Sequence, residues 1–231
     1  MKLYFNANEL SNPSNEYVAW IDVMGIKSAM ESSIKISANF IYKLHIAAIE
    51  APSDNIKIYP IMDGFYCSSP NQGDMEKFLK DVYLKLTNLF NEENKNSFRF
   101  IIKGAIAKGD VYHGCNLDYK AAFTLGDNKE YRDKIMLGLP MIQAHTGEVE
   151  APPFGLFVDE SAQSLVSPDA KYPFDMWWKW FTKEDADLIA NLASSLETYY
   201  AWCMGQSHEI SYPRNRIRIH RGMAKLYFGS S

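Results

Sequence analysis

The chain has 231 residues, 47% of them hydrophobic, a net charge of −4 and a pI near 5.8. That length suits one large domain, and the apolar content suffices for a sizeable core, which excludes a disordered protein. The mild acidity excludes a broad nucleic-acid-binding surface.

Cys67, Cys115 and Cys203 are far apart and form no CxxC pair or metal-ligand spacing, which fits a reducing compartment. The opening MKLYFNANELSNPSNE has no apolar stretch of the signal-peptide kind, and no run of about eighteen apolar residues exists. The expectation is a soluble cytoplasmic protein with no membrane span and no nucleic-acid partner.

SNPSNE (11–16) reads as a loop and YVAWIDV (17–23) as a buried strand. After Met24-Gly25, Ile26, Met30, Ile34, Ala38, Ile41, Leu44 and Ala48 recur at helical spacing, predicting one amphipathic helix over 26–50. IKIYPIMDGFYCSS (56–69) reads as a hairpin turning at Asp63-Gly64. Asp74 is a plausible N-cap for a helix carried by Met75, Phe78, Leu79, Val82, Leu86, Leu89 and Phe90. NEENKNS (91–97) is a polar turn, FRFIIKGAIA (98–107) a strand, and GDVYHG (109–114) the return strand of a second hairpin. A short helix over 138–151, a strand over 154–159 and a long helix over 183–205 follow, and 214–228 reads as strand or helix. No repeat or linker divides the chain, so residues 1–231 are expected to form a single domain. The order predicts an α+β fold with the split βαβ arrangement of ferredoxin-like sheets: a mainly antiparallel sheet with helices packed on it.

In such a sheet the end of the first strand, carrying Asp22, lies beside the hairpin turn that carries Asp63. Two carboxylates at one sheet edge repel unless they share a proton or hold a cation, and hard oxygen donors without His or Cys suit Mg²⁺ or Mn²⁺. Two such ions, roughly 3.5–4 Å apart, clamp the attacking and leaving oxygens of phosphoryl transfer. The glycine turn and helix start of DVMGIK offer backbone N–H groups to phosphate at Gly25 and Ile26, and Lys27 adds a positive charge. The plainer alternatives are that Asp22 caps a helix and that Asp63 is a turn residue.

IDVMGIK, IMDGFYCSS, FIIKGAIAKGDVYHG and GLPMIQAHTGEVE, in this order over roughly residues 16–160, resemble the class III nucleotidyl cyclase catalytic domain. The resemblance implies that Asp22, Val23 and Asp63 hold two metal ions. It implies that these ions activate a ribose 3′-hydroxyl for attack on the α-phosphate of its own nucleoside triphosphate. It also implies a head-to-tail homodimer with active sites at the interface. The family's two purine-reading positions fall on Tyr59 and Ile135, which cannot make the usual purine-edge hydrogen bonds, and a bulky Tyr59 shortens the pocket. The family's transition-state Asn and Arg fall on Ile142 and Thr146. With Gly138, Ala144 and Glu148 kept in register, the chain is most similar to the pyrimidine cyclases of Pycsar anti-phage systems. That implies conversion of UTP or CTP to cyclic UMP or cyclic CMP, read by a separate effector. The alternatives are an inactive cyclase-like module and a purine cyclase with an atypical pocket.

Loss of that pair leaves the catalytic charge to other cations. Candidates are Lys27, Lys103, Lys108, Arg132, Lys134 and the cluster Arg216, Arg218, Arg221 and Lys225. Lys103 stands out because it interrupts an apolar strand, although a lysine there can also snorkel to solvent. His113, His145, His208 and His220 have no ligand spacing and read as core or surface residues. MWWKWF (176–181) reads as core or interface more readily than as a base-stacking platform.

Overall fold

The computed structural model describes residues 6–52, 54–117, 120, 123–171 and 176–229. The first apolar run forms β1 (Ser14–Val23), which starts three residues earlier than the sequence suggests, so part of the expected 11–16 loop is strand. Tyr17, Ala19, Ile21 and Val23 point into the larger core, while Val18 and Trp20 point into a smaller one on the opposite face. Burial on both faces is why this strand lacks an apolar–polar alternation.

The expected 26–50 helix is two helices, α1 (Ile26–Ser32) and α2 (Ile34–Glu50). Ser33 sits between them in extended backbone, and its hydroxyl accepts from the Ile36 N–H. Serine in this position caps the second helix at the expense of continuing the first. β2 (Lys57–Ile61) and β3 (Gly64–Ser69) form the hairpin, with Met62 and Asp63 as the loop residues. Left-handed backbone falls on Met62 (φ 50°) rather than on the glycine. Gly64 serves a different purpose: a Cβ there would lie 2.5 Å from the Trp20 ring and 2.6 Å from the Ile21 carbonyl oxygen. Gly64→Ala is therefore expected to cost about 2–3 kcal/mol, read as a lower urea midpoint with unchanged slope.

α3 (Gln72–Glu92) is capped by Asn71, whose side chain accepts from the Asp74 N–H, so Asp74 lies in the first turn and is not the cap. Residues 98–114 correct the sequence reading most. They hold no second hairpin but a single strand, β4 (Ile102–His113), paired antiparallel with β1 from Ser14↔Val111 to Val23↔Ile102. Continuous pairing across Gly109 leaves no room for a turn there. After α4 (Phe123–Asp127) and α5 (Lys129–Arg132) come β5 (Met136–Gly138), α6 (Leu139–Gly147), β6 (Leu156–Val158) and β7 (Trp177–Trp178). α7 (Ala186–Gly205) and α8 (Arg214–Gly229) close the order, and α8 resolves the 214–228 ambiguity as helix.

The sheet order is β2-β3-β1-β4-β6-β7, with β5 also paired to β4. β1 runs antiparallel to both β3 and β4, as the split βαβ arrangement requires. α2, α3 and α7 supply the larger core, and α6 packs across β1 and β4 on the other face. In the 176–181 cluster Met176 and Trp180 are core residues, and the Trp180 indole donates to the Phe154 carbonyl at 2.7 Å. No helix among the described residues is long and apolar enough to cross a membrane.

Candidate active site

β1 ends at Asp22-Val23, and the register around it assembles the site. Asp22 is paired with Gly64 on β3 and with Lys103 on β4. Asp63 directly precedes Gly64, so the turn carboxylate lies beside the strand-end carboxylate. The two are close enough that the Asp63 charge acts on Asp22: burial first, then Asp63 and Glu148, push the Asp22 carboxyl from its ordinary 3.8 up to about 7. Asp22 does not cap α1; its Oδ1 accepts from the Val23 N–H at 2.8 Å, and the α1 cap position is Gly25.

Glu148 joins this site, a residue the sequence marks only by its place in the last of the four segments. It follows α6 and faces Lys103, with Nζ 3.6 Å from Glu148 Oε1 and 3.1 Å from the Val149 carbonyl oxygen, to which it donates. Lys103 is buried rather than snorkelling. Its pKa is lowered, chiefly by burial, with Glu148 acting in the opposite direction. Asp22 therefore feels two carboxylates, Asp63 and Glu148, and one ammonium, Lys103.

The donor set fits a hard divalent cation. Among the described residues, no three His, Cys, Asp or Glu side chains lie close enough to hold a metal ion by themselves. Mg²⁺ is commonly held by one or two carboxylates together with substrate phosphates and water. Asp22 and Asp63, with the Val23 carbonyl, match that incomplete kind of site.

Gly25 takes left-handed backbone (φ 76°), and a side chain there would meet nothing within 4 Å. Ile26 is buried and Lys27 exposed. α1 is only seven residues long. Its dipole is correspondingly small, which weakens the anion-binding argument the sequence raises for Gly25, Ile26 and Lys27.

Tyr59 lies away from the acids, on the far side of the Trp20–Tyr66 pair. Its hydroxyl is hydrogen-bonded to His113 Nδ1 at 2.6 Å, and His113 Nε2 to Glu16 Oε1 at 2.9 Å. All three residues are buried. Burial alone would raise the Glu16 pKa, but hydrogen bonds from His113 and Ser14 outweigh it and hold the carboxyl down at about 2. Ile135 accepts from the Gly114 N–H, so positions 59 and 135 both border the turn after β4. The hydrophobic pattern of β1 gives no sign of a buried Glu16, and its partner is 97 positions away in the chain.

The other proposed cations divide by location. Lys108 donates to the Tyr17 hydroxyl, Arg132 pairs with Asp133, and Lys134 with Glu130. Arg221 and Lys225 pair with Glu197 and tie α8 to α7. Ile142 is exposed, and the Thr146 hydroxyl turns back to the Ile142 carbonyl, so α6 presents no cation at these two positions.

No protein-family model and no curated protein matches the sequence. Among solved structures the chain is similar to a monomeric double mutant of the guanylyl cyclase domain of the RhoGC fusion protein from the aquatic fungus Blastocladiella emersonii. That match has a TM-score of 0.50 and 13% identity, over 72% of this chain and 93% of that one. A weaker likeness, at TM-score 0.42 and 12% identity, covers 65% of this chain and 79% of the adenylyl cyclase CyaB from P. aeruginosa. Likeness at 13% identity is likeness of fold, and the chain has the α+β fold of a cyclase catalytic domain.

Proposed function

We propose that the chain is a nucleotidyl cyclase that converts UTP or CTP to the 3′,5′-cyclic monophosphate and pyrophosphate. The observation that carries this reading is the convergence of Asp22 and Asp63, with Glu148 adding negative charge and Lys103 opposite. A scaffold gains nothing from a partly buried carboxyl pushed up to about 7 by burial and by the Asp63 and Glu148 charges.

Asp22, Asp63 and the Val23 carbonyl would hold Mg²⁺ or Mn²⁺, two ions in the full site. When bound, the metal lowers the pKa of the ribose 3′-hydroxyl and neutralises phosphate charge. The chain's own residues do the rest. Glu148 and the Val149 carbonyl hold Lys103 in place, so that its charge lies beside Asp22 and faces developing phosphate charge. Tyr59 and Ile135 stand at the purine-reading positions, and the hydrogen bond between the Tyr59 hydroxyl and His113 Nδ1 fixes the buried Tyr59 ring. This supports a base that needs no purine-edge partner. Exposed Met62 directly precedes Asp63 and exposed Val149 directly follows Glu148, while exposed Leu137 and Leu139 lie at the opposite end of β4. A homodimer with active sites at the interface is what the resemblance implies, and exposed apolar side chains such as Met62 and Val149 leave surface for a second copy to cover. A cyclic pyrimidine product read by a separate effector in anti-phage defence is the role that the resemblance implies.

The test is incubation of the purified protein with Mn²⁺ and each of the four nucleoside triphosphates, with chromatography of the products. Cyclic UMP or cyclic CMP is expected, and Asp63→Ala is expected to lower its yield by at least about 10²-fold. Pyrophosphate release from ATP alone refutes the pyrimidine assignment and leaves a cyclase. A second reading, a nucleotide-binding module without turnover, is favoured by the cation-free face of α6 at Ile142 and Thr146. Calorimetric binding of UTP or CTP with no product under either metal would establish it.

A further inference from the structure

Immediately after the acid pair, the chain borders a cleft that the proposed chemistry does not use. It has a volume of about 360 Å³, within the range of small-molecule sites. One wall is Met24, Gly25 and the α1 residues Ser28, Ala29 and Ser32; the other is the α7–α8 connection and the start of α8. Its apolar lining includes two aromatic pairs. Phe40 stacks on Phe100 with ring centres 5.3 Å apart, and Tyr199 lies against Trp202 at 5.9 Å.

The cleft's charge is uneven. Arg216 lines it, is exposed, and makes no ion pair with a carboxylate among the described residues. Arg99 also lines it, but its guanidinium is already engaged by the Glu93 carbonyl and Asn96. His220 receives a hydrogen bond from, or gives one to, the Tyr212 hydroxyl through Nδ1. Burial first, then the charges of Lys103 and Arg216, push His220 down to about 4, so it stays neutral at physiological pH. Glu209 brings a carboxylate to another part of the rim. An anion is therefore attracted to the Arg216 side and repelled from the Glu209 side.

We propose that this cleft binds a small organic anion with an aromatic body, the rings against Phe40, Phe100, Tyr199 and Trp202 and the anionic group on Arg216. The lining favours this occupant over two others. A bare phosphate or triphosphate has no use for four aromatic walls, and a neutral apolar molecule leaves Arg216 unmatched at the rim. The bound ligand touches Met24 and Gly25, directly after the Asp22-Val23 strand end. The cleft adjoins the acid site, since Lys103 acts on His220, but neither Asp22 nor Asp63 lines it, and the proposal does not rest on the cyclase reading.

The probe is 8-anilinonaphthalene-1-sulfonate, titrated by fluorescence and calorimetry against the full chain, with the uncharged N-phenyl-1-naphthylamine in parallel. One sulfonate probe per chain is expected, bound more tightly than its uncharged analogue. Arg216→Gln is expected to weaken the sulfonate by about tenfold or more and to leave the uncharged probe within about twofold. Ala29→Leu, which fills the cleft from α1, is expected to weaken both probes, and Arg218→Gln neither. Thermal melts verify that each variant folds. Sulfonate affinity unchanged in both Arg216→Gln and Ala29→Leu overturns the proposal. So does probe binding that falls as protein concentration rises, which would make a second copy of the chain the occupant. Neither arm needs turnover, so failure of the cyclase reading leaves this test intact.

Discussion

Asp22→Asn is expected to abolish cyclisation and, in EDTA, to raise the melting temperature. The side chain is held in a partly buried position beside Asp63 and Glu148, and its carboxyl titrates near 7 against an ordinary 3.8. A carboxyl whose folded pKa exceeds its unfolded value binds its proton more tightly in the fold. Its ionisation therefore costs nothing below about pH 4 and removes stability as pH rises from about 4 to about 7. The full displacement corresponds to about 4 kcal/mol, and solvent screening at a partly exposed group reduces this to about 1–3 kcal/mol. Asparagine removes the charge and keeps an oxygen to accept from the Val23 N–H. For a chain of this size each kcal/mol moves the melting temperature by about 2–4 °C, so a rise of roughly 3–8 °C is expected at pH 8. The gain should shrink to about a third at pH 5 and vanish below about pH 4, where the carboxyl is protonated in the folded and the unfolded chain alike. A variant that melts lower at pH 8, or that still forms cyclic product, contradicts both the electrostatic reading and the metal role of Asp22.

The buried Tyr59–His113–Glu16 chain carries the largest expected stability effect. Glu16 and His113 are 3% and 2% exposed, and Glu16 Oε1 also accepts from the Ser14 hydroxyl at 2.5 Å. Removing one partner leaves the other polar group buried without its match, which costs about 1–3 kcal/mol and more where the group left behind is the Glu16 carboxylate. By urea denaturation Glu16→Ala should fall in that range and His113→Ala, which leaves the carboxylate behind, above it. The double replacement by leucine should cost less than the sum of the singles, because two apolar groups leave nothing unpaired. The acid limb gives a second readout. Glu16 titrates at about 2 in the fold against 4.5 ordinarily, so its contribution is complete above about pH 4.5 and is lost as pH falls toward 2. Glu16→Ala should flatten the stability–pH curve over that window while lowering it above. Additive single and double variants, or an unchanged acid limb, would show that the three residues do not act together.

Much of the fold was legible because its signals are local. The run 17–23 has the composition of a strand buried on both faces, the stripe from Met75 to Phe90 has helical spacing, and 183–205 is apolar at every third or fourth position. The turn between β2 and β3 was also visible, though for the wrong reason. Asp-Gly suggested a glycine turn, whereas left-handed backbone falls on Met62 and Gly64 makes room for the Trp20 ring. What periodicity missed has a common cause. It cannot see that Ser33 prefers to cap a helix, or that β1 pairs with β4 through Gly109 and turns an apparent hairpin into one long strand.

The sequence by itself determined the elements and the candidate acids, because hydrophobic period and residue type act within a few positions. Tertiary structure alone decided which charges meet. The register Asp22↔Gly64 and Asp22↔Lys103 sets Asp63 and Lys103 beside Asp22, and α6 brings Glu148 across to the same end. The same packing pairs Glu16 with His113 and sets Arg216 at the mouth of an aromatic cleft. Electrostatic energy depends on distance in space, and chain separation carries no information about it until the sheet has closed.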